Sequence, residues 1–224
     1  MGAAIGQSLP VAVGVLVSPL PIVAVVLMLV SGRAKANAFA FLVGWFVAVG
    51  AVTLLVATLA GAATPDDDDG PPLWAAILKI VLGVLLLLLA VQQWRGRPRA
   101  GVEPPAPTWM AAIDAFTPVK AAGLAVLLGA VNPKNLLLVV SGGAAIASAA
   151  PGDTDAQVVA SVVFALVASL GVAAPVFIYL FMGSRAATML DELKAWMIHN
   201  NAVIMAVLLL VLGAKMLGDG VAAL

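Results

Sequence analysis

The sequence predicts an all-α integral membrane protein with six transmembrane helices, arranged as two inverted three-helix repeats in which the first and fourth helices are broken. The 224 residues are 63% hydrophobic and 10% charged, with a mean hydropathy of +1.15. A soluble domain is about 45–50% apolar and about 25% charged. The apolar residues fall in six runs, and the first and fourth runs contain proline motifs. A proline inside a helix removes a backbone hydrogen bond and kinks or breaks the helix.

Each apolar run is close to the length of about 20 residues that a helix needs to cross a bilayer. The predicted spans cover approximately residues 5–30, 37–59, 72–91, 121–149, 156–181 and 202–217. We do not expect the first run to be a cleavable signal peptide, because no basic residue precedes it and it is longer than the apolar region of such a peptide. In the fifth run, Pro175 predicts a kink.

The distribution of charge predicts the orientation of the spans. Acidic residues dominate the second and fourth loops, with four aspartates at 66–69 and two more at Asp153 and Asp155. The first, third and fifth loops carry the basic residues Arg33, Lys35, Arg95, Arg97, Arg99, Lys120, Arg185 and Lys194. Basic loops face the cytoplasm. The sequence therefore predicts a multi-pass protein of the plasma membrane with both termini on the extracytoplasmic side.

The two proline motifs predict an internal repeat. The sequence VSPLP at residues 17–21 aligns with VNPKN at residues 131–135, about half the chain further on. Each half contains three spans, an odd number, so the halves must be inverted in the membrane. Interrupted helices at corresponding positions of two halves mark the binding site in many transporters. The predicted division is a first repeat at 1–92, a cytoplasmic linker at 93–120 and a second repeat at 121–224.

The end of the linker predicts a short interfacial helix that leads into the fourth span. Its apolar side chains are spaced near one helical face, as in helices that lie in the membrane interface. These residues are Trp109, Met110, Ile113, Phe116 and Thr117. An ordered loop packed beneath the helical bundle is the alternative interpretation.

Lys134 is the principal candidate for the site, because it lies in the middle of the fourth apolar run. A lysine at the centre of a membrane helix costs about 2.5–3.5 kcal/mol on insertion scales and usually faces a partner or a hydrated cavity. No carboxylate within a membrane span is evident as its partner. The alternatives are backbone carbonyls, a purely structural ion pair, or a ligand with a sulfate, phosphate or carboxylate group.

The other candidate substrate-binding residues surround the two predicted helix breaks. Asn132 and Asn135 have two interpretations, capping of the broken helix or contact with the ligand. The hydroxyl of Ser18 can contact the ligand or bond to carbonyls that the neighbouring prolines leave free. The prolines that define the two breaks, Pro19, Pro21 and Pro133, complete the predicted site.

The sequence argues against enzymatic, cofactor-dependent and nucleic-acid-binding functions. It contains no cysteine and one histidine, and its formal net charge is zero. Cysteine-ligated metal sites and thiol chemistry are thereby excluded, and no global positive field favours nucleic acid. Neither the phosphate-binding motif GxxxxGK[ST] nor a GxGxxG motif at a helix start is present. We expect no enzymatic activity and no cofactor.

Two segments carry a resemblance to a known family. The first is SPLPIVAVVLMLVSGRAKANAFAFLVGW, and the second is FTPVKAAGLAVLLGAVNPKNLLLV. They are similar to the glycopeptidolipid- and sulfolipid-1-addressing proteins, the GAP family of the LysE-type exporter superfamily. The resemblance implies six spans, proline motifs in the first and fourth spans, and export of envelope glycolipids or related molecules. Leu20 stands where amino-acid exporters of the superfamily have glycine, which weighs against an amino-acid substrate.

These observations predict a small exporter of an envelope glycolipid or another small anionic amphiphile. The alternative is a non-transporting scaffold for envelope-lipid synthesis and export machinery. The expected partners are a membrane lipid or small amphiphilic substrate and that machinery. Because six short spans enclose little volume for a glycolipid, a homodimer is a further candidate assembly.

Overall fold

The structure is a computed structural model that describes residues 1–62, 73–97, 110, 112–182 and 186–224. All regular secondary structure in these ranges is helical. The first half contains α1 (Gly2–Leu16), α2 (Pro19–Leu29), α3 (Ala34–Ala62) and α4 (Leu73–Arg95). The second half contains α5 (Pro118–Val126), a π-helical turn (Leu127–Val131), α6 (Pro133–Ala149), α7 (Thr154–Met182) and α8 (Ala186–Val221).

Within the described ranges, four helices are long and apolar enough to cross a membrane: α3, α4, α7 and α8. The other helices form two bent pairs. The chain turns by 52° between α1 and α2 and by 64° between the π-helical turn and α6. The number of candidate spans is therefore four, or up to six if each bent pair is one span. The chain is a multi-pass membrane protein, and the predicted helix breaks lie at both proline motifs.

The first break follows from the two prolines at the start of α2. Pro19 and Pro21 have no N–H group, so the last carbonyls of α1 lose their usual partners. The helix α1 ends where Ser18 leaves the helical conformation, with φ −58° and ψ 113°. Pro19 then occupies the first position of α2, where a missing N–H costs nothing.

The second break combines a π-helical turn with a proline. The Asn132 N–H donates to the carbonyl of Leu127 at 2.7 Å, five residues back instead of four. Asn132 then adopts an extended conformation, and Pro133 opens α6. Such π-helical turns occur frequently at functional sites.

Small residues allow the helices to approach closely. A Cβ atom on Gly44 of α3 would lie 3.0 Å from the Ala122 Cα in α5. A Cβ atom on Gly83 of α4 would lie 2.8 Å from the Leu217 nitrogen in α8. Small side chains at helix interfaces are typical of membrane bundles, where van der Waals packing takes the place of the hydrophobic effect.

The two broken pairs lie at the centre of the bundle. Helix α2 is buried along its length, with only Leu20 and Leu27 half-buried. It packs against α3, α7 and α8, and α6 packs against α1, α3, α4 and α7. Helices α4 and α8 form an extensive pair at one side of the bundle. This packing buries the first break, whereas the second lies partly at the surface, where Val131 and Pro133 are exposed.

Two segments differ from their predicted structure: the last helix is longer than predicted, and the predicted interfacial helix is described only in part. Helix α8 begins at Ala186, although the sixth span was predicted to start near residue 202. The segment AATMLDELKAWM is rich in strong helix formers and contains no glycine or proline, so nothing stops the helix before the span. In the predicted interfacial helix, the described residues contain one 3-10 turn, Ile113–Ala115. Trp109 lies outside the described residues.

Candidate functional site

Asn135 connects the two helix breaks. The Ser18 hydroxyl donates to Asn135 Oδ1 at 2.6 Å, and Asn135 Nδ2 donates to the carbonyl of Leu128 at 2.8 Å. The Leu128 carbonyl would normally accept from Asn132, but that N–H bonds to Leu127 instead, and the next residue is Pro133. Both side chains are buried. Asn135 therefore satisfies the carbonyl left free by the second break and holds it against the first.

Asn132 caps α6. Its Oδ1 atom accepts from the backbone N–H of Lys134 at 3.1 Å, which is the usual bond of an asparagine at this position. The side chain is half-buried. Both asparagines thus satisfy backbone groups at the second helix break, and both amide atoms of Asn135 are bonded within the protein.

Lys134 has a neutral partner. Its ammonium donates to Gln93 Oε1 at 2.9 Å, and Gln93 lies in the last turn of α4, two residues before Arg95. The ammonium therefore points from the break toward the end of the bundle that carries the basic loop residues. Among the described residues, Lys134 forms no ion pair. A glutamine accepts one hydrogen bond but does not neutralise the charge.

Helix dipoles add positive potential at the same place. Lys134 is the second residue of α6, and the N-terminus of a helix carries about half a positive charge. A cation in this first turn is unfavourable, whereas an anion is stabilised by about 0.3–1 kcal/mol or more when partly buried. The N-terminus of α2 meets the same cavity through Pro19 and Pro21. The C-termini of α1 and of the π-helical turn end beside these N-termini and bring partial negative charge of similar size, but the described residues supply no full counter-charge for the ammonium.

The cavity between the breaks is small. Its volume is about 10 Å³, which is room for about one water molecule. Six predicted site residues line it: Ser18, Pro19, Pro21, Asn132, Lys134 and Asn135. The seventh, Pro133, is not part of its lining. No carboxylate is present in the described lining. Because the cavity has room for about one water molecule, it can hold an anionic group only after the helices around it move apart.

Four further residues belong to this site and were not predicted. Leu20 and Asn201 line the cavity together with Met205, and Gln93 bonds to the lysine. Gln93 and Asn201 lie at the ends of apolar runs, where polar residues ordinarily face the membrane surface. Only the packing of α8 against α2 and the reach of the Lys134 side chain bring them inward.

Comparison with known families gives one match that covers nearly the whole chain. The family described as Sap, sulfolipid-1-addressing protein, matches residues 9–222. The resemblance found in the sequence is thereby confirmed. No match was found among curated proteins or among solved structures.

Proposed function

Because the chain belongs to the sulfolipid-1-addressing protein family, we propose that it exports an anionic envelope lipid or a related amphiphile across the plasma membrane. Family and membrane helices together fit a membrane protein of lipid export. One observation supports a direct role. Lys134 lines a cavity at two helix N-termini, and its ammonium bonds to the neutral amide of Gln93, outside the cavity lining, and to no described carboxylate. In this proposal the protein acts as a transporter and not as an enzyme.

The chemistry of the cavity supports an anionic group as the ligand. A charge that leaves water is costly unless it is paired. Bonds between an ammonium and a sulfate, phosphate or carboxylate are about twice as strong as neutral hydrogen bonds. The hydroxyl and amide groups of Ser18, Asn132 and Asn201 offer further contacts at the cavity wall. The ligand, in this proposal, provides the counter-charge that the protein lacks.

The packing of the helices supports two inverted repeats as the transport framework. Exchange of the halves converts α1 and α2 into α5 and α6, α3 into α7, and α4 into α8. Under this exchange, α3–α7 and α4–α8 map onto themselves, while α1–α7 maps onto α3–α5 and α2–α8 maps onto α4–α6. All of these pairs are in contact. The arrangement is consistent with membership of the LysE-type exporter superfamily.

The most extensive departure from this symmetry concerns one pair of contacts. Helix α1 packs along α6, whereas α2 and α5 have no comparable contact. In transporters built from inverted repeats, one half moves against the other around a fixed site. We interpret the asymmetric packing as one of two alternating conformations of the transporter. In this conformation the substrate path is closed where α1 packs against α6. By the positive-inside rule, α2 and α5 lie in the cytoplasmic half of the membrane.

A non-transporting scaffold is the second candidate. The observation that favours it is the cavity volume of about 10 Å³, which admits no lipid headgroup in this state. A scaffold would bind the export machinery through its outer helices. It would have no use for a half-buried lysine without a counter-charge.

Reconstitution distinguishes the two candidates. Purified protein in liposomes is assayed for movement of a fluorescent anionic lipid between leaflets, with wild type beside Lys134→Met. Lys79→Met is the matched control, because Lys79 is a half-buried lysine within α4 that lies away from the helix breaks. Export requires movement that Lys134→Met abolishes and Lys79→Met preserves. Well-folded wild-type protein that moves no lipid would support the scaffold.

A further inference from the structure

A large groove runs between α4 and α8 at the end of the bundle that carries the basic residues. Its volume is about 480 Å³, and its lining includes Ala90, Trp94 and Arg95 from α4 and Ala206, Val207 and Leu210 from α8. Further along the pair, Gly83 and Gly213 bring the two backbones into contact. The groove begins where the helices diverge, at the positions of Ala90 and Ala206. Its walls are apolar, and Val207 is 52% exposed and Leu210 54% exposed, as expected for a surface that meets acyl chains.

The mouth of the groove is positively charged. Arg95 is part of its lining, and the Arg97 guanidinium lies over the Trp94 ring at 4.2 Å from the ring centre. Arg97 also donates to the Trp94 carbonyl at 2.7 Å. Tryptophan and arginine at this depth are typical of the level of lipid headgroups. No acidic side chain is present among the described residues that line the groove.

The groove and the central cavity lie on two faces of α8, and α4 lines the groove and bonds to Lys134 of the cavity lining. Met205 lines the cavity, and the next residue, Ala206, lines the groove. On α4, Gln93 holds the Lys134 ammonium, and its neighbour Trp94 lines the groove. The buried alanines Ala90 and Ala206 form part of the boundary between the two spaces. A small separation of α4 from α8 at these alanines would join the groove to Lys134.

We propose that this groove binds an anionic lipid of the adjacent leaflet, with an acyl chain along Ala206 and Val207 and the headgroup at Arg95 and Arg97, as the entry site of the exporter. The identification of the groove as an entry site rests on the proposed export function. The lipid site itself is a separate claim, since it depends on size, apolar walls and a cationic mouth. The central cavity holds about one water molecule in this state, so a lipid must wait elsewhere before the helices move.

Fluorescence quenching of Trp94 tests the site directly. The protein is placed in phosphatidylcholine bilayers that contain an equal mole fraction of brominated phosphatidylglycerol or of brominated phosphatidylcholine. The Trp94→Phe variant isolates the Trp94 signal from that of the other tryptophans. We expect the anionic lipid to be preferred by about fivefold, which corresponds to about 1 kcal/mol for a basic residue near an anionic surface.

Matched variants locate the bound lipid. Arg95→Gln should remove most of the preference, and Arg95→Lys should retain it because the charge is kept. Val207→Phe narrows the groove and should reduce quenching. Val211→Phe is the control, because Val211 is an exposed valine one turn further along α8 and is not part of the groove. Equal quenching by both brominated lipids in wild type would overturn the proposal.

Two further results separate this inference from the proposed function. If Lys134→Met abolishes export but the groove shows no preference for the anionic lipid, the groove is not the entry site and the exporter proposal stands. If the preference is found but Lys134→Met exports normally, the groove site stands and the central site fails.

The chain contains no native cysteine, so a Val207→Cys variant can also report contact with a second copy of the chain. Disulfide-linked dimers in bilayers would assign the groove to a protein interface and overturn the lipid site.

Discussion

Asn135→Ala should destabilise the fold about twice as much as Ser18→Ala. Asn135 satisfies two buried groups, the Ser18 hydroxyl at 2.6 Å and the Leu128 carbonyl at 2.8 Å, and its loss strands both. An unsatisfied buried polar group costs about 1–3 kcal/mol, but hydrogen bonds between membrane helices average about 0.6 kcal/mol because the unfolded chain in the membrane also finds partners. We therefore take about 1 kcal/mol for each stranded group, near the lower end of the first range. The expected loss of stability is about 2 kcal/mol for Asn135→Ala and about 1 kcal/mol for Ser18→Ala.

Thermal unfolding of the purified protein in detergent measures these differences, and a double-mutant cycle isolates the pair. In the Asn135→Ala background the Ser18 hydroxyl is already stranded, so Ser18→Ala should be neutral or recover up to about 1 kcal/mol, which gives a coupling energy of about 1–2 kcal/mol. Ser141→Ala is the matched control. Ser141 is fully buried in α6, and its hydroxyl has no hydrogen-bond partner among the described residues, so its removal should be neutral or stabilising. The reasoning is wrong if Ser141→Ala costs as much as Ser18→Ala, or if the two site substitutions are additive.

Three further predictions concern packing, topology and conformational change. Gly143→Ala should destabilise the protein by about 1–3 kcal/mol through overpacking, because the new Cβ would lie 2.8 Å from the Thr53 carbonyl oxygen. Gly123→Ala should not, since among the described residues no atom beyond its own helix backbone and chain neighbours lies within 4 Å of its Cβ position. Equal melting temperatures of the two variants would contradict the packing. Cysteines at Arg97 and Asp153 should react with an impermeant maleimide from the cytoplasmic and outer sides respectively, and the reverse pattern would overturn the orientation. Spin labels at Leu27 of α2 and Val126 of α5 should report two distances whose populations change when an anionic amphiphile is added; a single unchanged distance would argue against alternation.

The helix breaks were predictable because their cause is local. A proline lacks an N–H group wherever it stands, so the motifs at Pro19 and Pro133 predict interruptions, although Pro10 and Pro175 lie inside continuous helices. The apolar runs likewise predict membrane helices from composition alone. The inverted arrangement of the halves stays a prediction that their packing supports. The orientation of the chain in the membrane also stays a prediction.

The partners within the site could not be predicted, because they depend on distances between helices. The sequence left Asn135 with two interpretations, and only the packed structure brings its amide to Ser18 and Leu128 at once. Gln93 looked interfacial, yet the Lys134 side chain reaches it from the break. The π-helical turn before Asn132 has no simple sequence signature. The binding roles assigned to the seven site residues remain predictions, now with defined geometry for each test.

The central claim is that an anionic ligand provides the counter-charge for Lys134. The most direct measurement is the affinity of purified protein for a soluble short-chain sulfated glycolipid, by calorimetry, in wild type and Lys134→Met. A hydrogen bond to a charged group contributes about 1.5–3 kcal/mol, so the account predicts an affinity lower by about 10- to 150-fold in the variant, with the melting temperature of the free protein maintained. An unchanged affinity in folded Lys134→Met protein would contradict the account.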